Sequence, residues 1–252
     1  MTQWHTQEQP DPLRDNEVHL WITPLTAPAE KLSYFKSILS VDENERARRF
    51  RKISDGKRYL VARGSLRCLL GFYVAGAPDR LQFTYGLFGK PNLSNESSKT
   101  ALNFSVSHSE DQGLFGFARA QRIGVDLEYV RPNVDALALA KRYFSPDEFR
   151  RLRGLPESRQ CEAFYCAWTR KEAYLKACGE GLSFGLERVE VSFSPAEPPR
   201  IRAVAGVPNV SAAWTLKHLS PDPNYVGAVA VEDRSVTFKL FRLGAQVPQR
   251  SA

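Results

Sequence analysis

Between Ile123 and Val130 the chain reads Ile-Gly-Val-Asp-Leu-Glu-Tyr-Val, an alternation that only a β-strand satisfies. Side chains two apart on a strand point the same way, so Ile123, Val125 and Leu127 share one face and Asp126 and Glu128 the other. At the usual rise the two acidic Cα atoms lie roughly 6.5–7 Å apart. Carboxylates at that spacing can lean together over one hard cation, and like charges so close call for a compensating positive one. Taken alone, the same alternation also fits a half-buried strand with a solvated acidic face. Partners elsewhere in the chain have to decide between the two.

The strongest helix signal runs from about 158 to 178 and stops at Gly179. In its segment WTRKEAYLK, Trp168, Glu172 and Lys176 are four apart and line one face. Trp168 belongs to an apolar series with Cys161, Phe164 and Leu175, so Glu172 and Lys176 adjoin a face that packs inward. A surface Glu–Lys pair at this spacing contributes only about 0.2–0.5 kcal/mol. An ionic pair continuing an apolar stripe must instead be paired or bound. Glu172 beside the strand acids would complete an oxygen set of the kind Mg²⁺ uses with phosphates, within reach of Lys176. Three further groups suit phosphate: His108 with Ser107 in Phe104-Ser105-Val106-Ser107-His108-Ser109, Lys90 in Gly89-Lys90-Pro91, and Arg58 near the start of a second long helix. Each of these also reads, singly, as an ordinary structural or turn residue.

The rest of the chain is organised around these segments. Val18, Leu20 and Ile22 give a first strand, and Ser40 with Glu43 caps a helix from Val41. Apolar spacing from Tyr59 to Tyr73 gives a helix ending near Gly76, followed by a short strand at 81–85 and a loop at 86–100. Three strands follow at 102–107, 113–119 and 122–130. Ser145, Pro146 and Glu148 open another helix. Strands at 187–194, 201–206, 212–219 and 225–241 close the chain, and the last ten residues read as frayed. Each half passes from strands through a long helix to more strands, with no residue-level repeat. The fold class expected is α+β, with two similar subdomains over 1–120 and 121–252. GxGxxG and GxxxxGK[ST] are both absent, which argues against a Rossmann sheet.

Composition narrows the setting. At 42% hydrophobic and 25% charged over 252 residues, the chain is an ordinary globular protein. Its four cysteines form no C-x-x-C pair and read as reduced, mostly buried thiols. The longest apolar run, Cys68 to Ala77, falls short of the ~20 residues of a membrane span, and the polar N-terminus has no signal-peptide core. A cytoplasmic protein is expected. The net charge of +7 favours an anionic partner, and residues 41–80 hold ten basic against five acidic residues.

In combination, the segments RRFRKISDGKRYLVARGSLR (48–67), YGLFGKP (85–91), FSVSHS (104–109), IGVDLE (123–128), AKRYFSPDE (140–148) and WTRKEAYLKACGEGLS (168–183) resemble the Sfp-type (surfactin-type) 4′-phosphopantetheinyl transferases. The helix reads W…KEA where other members have F…KES or W…KES, which points to a subgroup. The resemblance implies two pseudo-symmetric α+β halves in a monomer, with coenzyme A bound between them. It implies Mg²⁺, with Mn²⁺ as an alternative, on Asp126, Glu128 and Glu172. Lys176 matches the lysine beside the pyrophosphate, and Ser107 and His108 match residues near the phosphates. Arg58 matches a contact to the nucleotide end, and Lys90 one near the adenine; which of Arg46, Arg48 and Arg49 joins them stays open. The implied reaction moves the 4′-phosphopantetheine arm to a serine of an acidic acyl or peptidyl carrier protein and releases adenosine 3′,5′-bisphosphate. Glu172 or water held by the metal would take the serine proton. The carrier would serve fatty-acid, polyketide or nonribosomal peptide synthesis.

Two rival readings make different demands. A nucleic-acid module built on the 41–80 arginines requires stacking aromatics, and Phe50 and Tyr59 are there without a known RNA-binding motif. A metal-dependent phosphoesterase using Asp126 and Glu128 would hydrolyse coenzyme A without any carrier. Neither nucleic acid nor membrane is the expected partner.

Overall fold

The computed structural model describes residues 3–94, 101–194 and 197–244. Two antiparallel modules with the same order of elements, apart from one added short helix in the second, stand back to back. The first runs β2 (Glu17–Pro24), α1 (Ala29–Ile38), α2 (Val41–Arg48), α3 (Ile53–Tyr73), the hairpin β3–β4 (Phe83–Tyr85, Pro91–Leu93), β5 (Leu102–Ser109) and β6 (Gln112–Arg119). The second runs β7 (Ile123–Tyr129), α4 (Ala136–Tyr143), α5 (Pro146–Arg153), α6 (Glu157–Cys178), the pair β8–β9 (Val189–Val191, Ile201–Val204), α7 (Val210–Ala213), β10 (Thr215–Leu219) and β11 (Tyr225–Val231). Their sheets have matching orders, β2-β6-β5 and β7-β11-β10. The expected α+β, two-half architecture is therefore present.

One strand departs from the division at 120. The stretch 225–241, read as a single strand, is two: β11 stays in the second module, while β12 (Thr237–Leu243) pairs parallel with β2 in the first sheet. A short β1 (His5–Gln7) then extends that sheet beyond β12. The end of the chain thus belongs structurally to the sheet of its beginning. Of the ten residues expected to fray, 245–252 lie outside the described residues, and Leu243 ends a strand. The loop at 86–100 contains β4, paired with β3; residues 95–100 lie outside the described ones. Helices α1 and α4 add to the expected elements: Leu32, Phe35 and Ile38 keep helical spacing in α1, and Asp135 caps α4.

Four layers result. Val18, Leu20 and Ile22 pack against Ile123, Val125 and Leu127, joining the two sheets face to face. Trp21 points the other way, into the leucines of α3. This double burial makes β2 buried from Glu17 to Thr23, where the alternation suggested burial on one face. On the far side α6 covers Ala228 and Ala230 of β11. Two of the four free cysteines are buried, Cys68 and Cys166, and Cys161 and Cys178 are partly exposed.

A residue-level repeat, absent from the sequence reading, does exist. Ser40-x-Asp42-Glu43 with Arg46 and Arg48 recurs as Ser145-x-Asp147-Glu148 with Arg151 and Arg153. In both modules the serine and glutamate close a capping box. The same glutamate then turns into the core to meet a cation of the long helix. Glu43 binds Arg67 at 2.7 Å and also Arg63; Glu148 binds Lys171 at 2.6 Å. One short helix is thereby locked onto each long one.

Candidate active site

The close seating of α6 on β7 builds the site. A Cβ on Gly124 would lie 2.0 Å from the Ala173 carbonyl oxygen and 2.4 Å from the Ala177 nitrogen, so only glycine lets the helix backbone lie on the strand there. Ala173 follows Glu172 and Ala177 follows Lys176, and the close approach brings both side chains to the acid face of β7. Gly124→Ala is expected to cost about 3 kcal/mol through overpacking against backbone that cannot move aside. Urea denaturation would check this, and a loss below ~1 kcal/mol would contradict the tight contact.

The sequence placed Asp126, Glu128, Glu172 and Lys176 together, and so does the fold. Lys176 Nζ donates to Asp126 Oδ1 at 2.6 Å and to Ser107 Oγ at 3.0 Å. Ser107 in turn donates to the same Asp126 oxygen at 2.8 Å. The other oxygen, Asp126 Oδ2, is buried and has no hydrogen-bond partner among the described residues. Burial, and next the Asp126 charge, push the Glu172 carboxyl up to about 7, with Lys176 opposing. The same two causes raise Glu128, against the Ser109 hydrogen bond. Three acids therefore crowd one place with Lys176 as their close counter-charge. Among the described residues no three such side chains form a ready-made metal cage. The donor set nonetheless fits a hard divalent cation: all oxygen, short of positive charge, with one buried carboxylate oxygen unpartnered.

β7 is the outer strand of its sheet, and its outward N–H groups go to serine hydroxyls of β5. Val125 donates to Ser105 (3.0 Å), Leu127 to Ser107 (3.3 Å) and Tyr129 to Ser109 (3.0 Å). Ser109 also donates to Glu128 Oε2 at 2.9 Å. The sequence analysis named Ser107 for phosphate, but here the hydroxyl is committed to Asp126, Lys176 and the Leu127 N–H. Ser105 and Ser109 were passed over, although period-two serines on a strand beside an acid-bearing one are a readable signal.

Arg58 and His108 come together in a cleft of about 400 Å³ with Lys52, Tyr59 and Arg131, and Ser109, which donates to Glu128, lines the same cleft. Arg58 there bonds Asp111 at 2.8 Å and Asp55 at 3.1 Å. Lys90 is not among the residues of that cleft. Its amine donates to the Ile123 carbonyl at 3.0 Å and to Ala177 at 3.5 Å, and burial lowers it to about 8. Lys171, adjacent to Glu172 in sequence, is fully buried on Glu148 and plays no part in the acid cluster. No described helix is long and apolar enough to cross a membrane.

The acidic strand β7 faces the first module and carries the Lys-bearing helix α6 on its other side. The chain belongs to the 4′-phosphopantetheinyl transferase superfamily. Residues 122–230 match that family's model, and residues 26–115 match the model described as 4′-phosphopantetheinyl transferase, N-terminal. The chain is 41% identical over 219 residues to 4′-phosphopantetheinyl transferase HetI of Nostoc sp., covering 87% of this chain and 89% of that one. It is 30% identical to the transferase psf-1 of Bacillus pumilus, over 79% of this chain and 82% of that one. With the transferase Sfp of Bacillus subtilis it shares 28% identity over 79% of this chain and 85% of that one.

Proposed function

We propose that this enzyme transfers the 4′-phosphopantetheine arm of coenzyme A to a serine hydroxyl of an apo acyl or peptidyl carrier protein, in a Mg²⁺-dependent reaction that releases adenosine 3′,5′-bisphosphate. The observation that carries the reading is the cluster of Asp126, Glu128 and Glu172 with Lys176, in a chain of this family. Asp126, Glu128 and Glu172 would hold the metal, which would supply Lewis-acid stabilisation of charge on the pyrophosphate. Lys176, one-third exposed beside Asp126, would swing onto a phosphate oxygen and stabilise the departing bisphosphate. Glu172, or a water beside it, would take the proton of the attacking hydroxyl. The serine oxygen forms the new bond to the phosphorus carrying pantetheine, and the bond from that phosphorus to the bridging oxygen breaks. Arg58 and His108 lie in one cleft suited to the nucleotide end, with Arg58 exchanging its carboxylates for phosphate. Lys90 near the adenine would act from its place on the Ala177 carbonyl. We assign 1–120 and 121–252 as the two subdomains, with β12 returning to the first.

The products provide the test. Chromatography should show adenosine 3′,5′-bisphosphate accumulating only when an apo carrier is present. Its release from coenzyme A alone would identify a hydrolase and overturn the transfer reading.

A pH dependence follows from Glu172. The folded chain holds this proton up to about 7 and the unfolded chain only to 4.5. The stability this contributes is full below 4.5 and is lost as the pH rises through about 7, a change of about 3 kcal/mol for the metal-free enzyme. Buried His19 and His218, whose protonation burial disfavours, shift stability the other way over part of this range, so the group is isolated by comparing the parent with Glu172→Gln in urea and EDTA from pH 5 to pH 8. The stability of the parent relative to Glu172→Gln should fall as the pH rises, and a constant or rising difference would contradict the burial of this group.

A further inference from the structure

The three serines that join β5 to β7 are not equivalent. Each accepts one N–H of β7, but only Ser107 and Ser109 also donate to a carboxylate. Ser105 makes the same main-chain bond and has no carboxylate partner among the described residues. Ser109 is buried, lines the cleft that holds Arg58 and His108, and keeps its hydroxyl on Glu128 at 2.9 Å. A single hydroxyl therefore fixes both the register of β7 and the direction of the Glu128 side chain, and it comes from the opposite module.

We propose that Ser109 is a positioning residue for Glu128, through which the first module orients an acid of the second. This rests on the reading of Asp126, Glu128 and Glu172 as metal ligands. A hydrogen bond from outside a metal's ligand set orients the ligand, and its loss typically lowers metal affinity 10–100-fold. Ser105 supplies the built-in comparison, since its removal deletes the seam bond and leaves the carboxylates untouched.

The test is a titration of metal-free enzyme with Mn²⁺, followed by electron paramagnetic resonance, for the parent, Ser105→Ala, Ser109→Ala and Ser109→Thr. Urea denaturation of each variant runs alongside. Both alanine variants should lose a similar, small stability. Only Ser109→Ala should weaken Mn²⁺ binding, by about 10–100-fold, and Ser109→Thr should restore it. In a Glu128→Gln background, Ser109→Ala should have no further effect on Mn²⁺ affinity. Equal affinities in the two alanine variants would reduce Ser109 to a seam residue and overturn the proposal alone. Absence of Mn²⁺ binding in the parent would overturn the metal-site reading together with it. If Ser109→Ala failed to fold, unchanged affinity in Glu128→Gln relative to the parent would still refute it.

Discussion

Replacing Asp126 by asparagine is expected to lower carrier modification by about three orders of magnitude, the scale on which a preorganised electrostatic contact acts. The fold should hardly notice. Asparagine keeps the shape and the oxygen that Ser107 donates to, and Lys176, one-third exposed, can be hydrated once its partner is neutral. What disappears is the charge at the centre of the cluster, where Asp126 is both the partner of Lys176 and the owner of the unpartnered oxygen. Single-turnover rates would show the loss and thermal unfolding its absence from stability. Activity within tenfold of the parent would remove Asp126 from the machinery. An equal collapse in stability would make it a structural residue.

The opposite pattern is expected at Lys171. This lysine adjoins Glu172 in sequence but is fully buried, donating to Glu148 at 2.6 Å, to the Leu186 carbonyl at 2.9 Å and to the Val189 carbonyl. Lys171→Met should cost about 3–5 kcal/mol, because it leaves a carboxylate and two carbonyls without their donor in the interior. That is a large share of the 5–15 kcal/mol by which typical domains are stable. Glu148→Gln added to Lys171→Met should recover part of the loss, since the uncompensated charge is then gone. Urea denaturation of the single and double variants measures both quantities. A cost below ~1 kcal/mol, or strict additivity, would contradict the account of this pair.

The contrast between these neighbours shows where the sequence was legible. Strand alternation and helical spacing follow local geometry, so Asp126, Glu128, Glu172 and Lys176 could be grouped from periodicity. The capping boxes at Ser40 and Ser145 were equally local and are present. Long-range partners were not readable in this way. Helical spacing puts Lys176 on the Glu172 face, but nothing local shows that Lys171 is tied to Glu148 across 23 residues or Lys176 to Asp126 across 50. The role of Gly124 depends on a helix half a module away, and that of Ser109 on which strand lies beside it. β12 was merged with β11 because both are apolar, and its sheet is decided by the partner it finds in β2. Neither periodicity nor the family resemblance shows that Arg58 and His108 share a cleft or that backbone carbonyls hold Lys90.

The central claim is that this acid–lysine cluster moves phosphopantetheine onto a protein serine. Intact-mass spectrometry of an apo carrier protein, incubated with the enzyme, coenzyme A and Mg²⁺, measures that event directly. The account predicts a gain of one phosphopantetheine on the carrier, abolished by EDTA and by Asp126→Asn. An unchanged carrier mass across acyl and peptidyl carriers, from enzyme that is folded and binds coenzyme A, would contradict it.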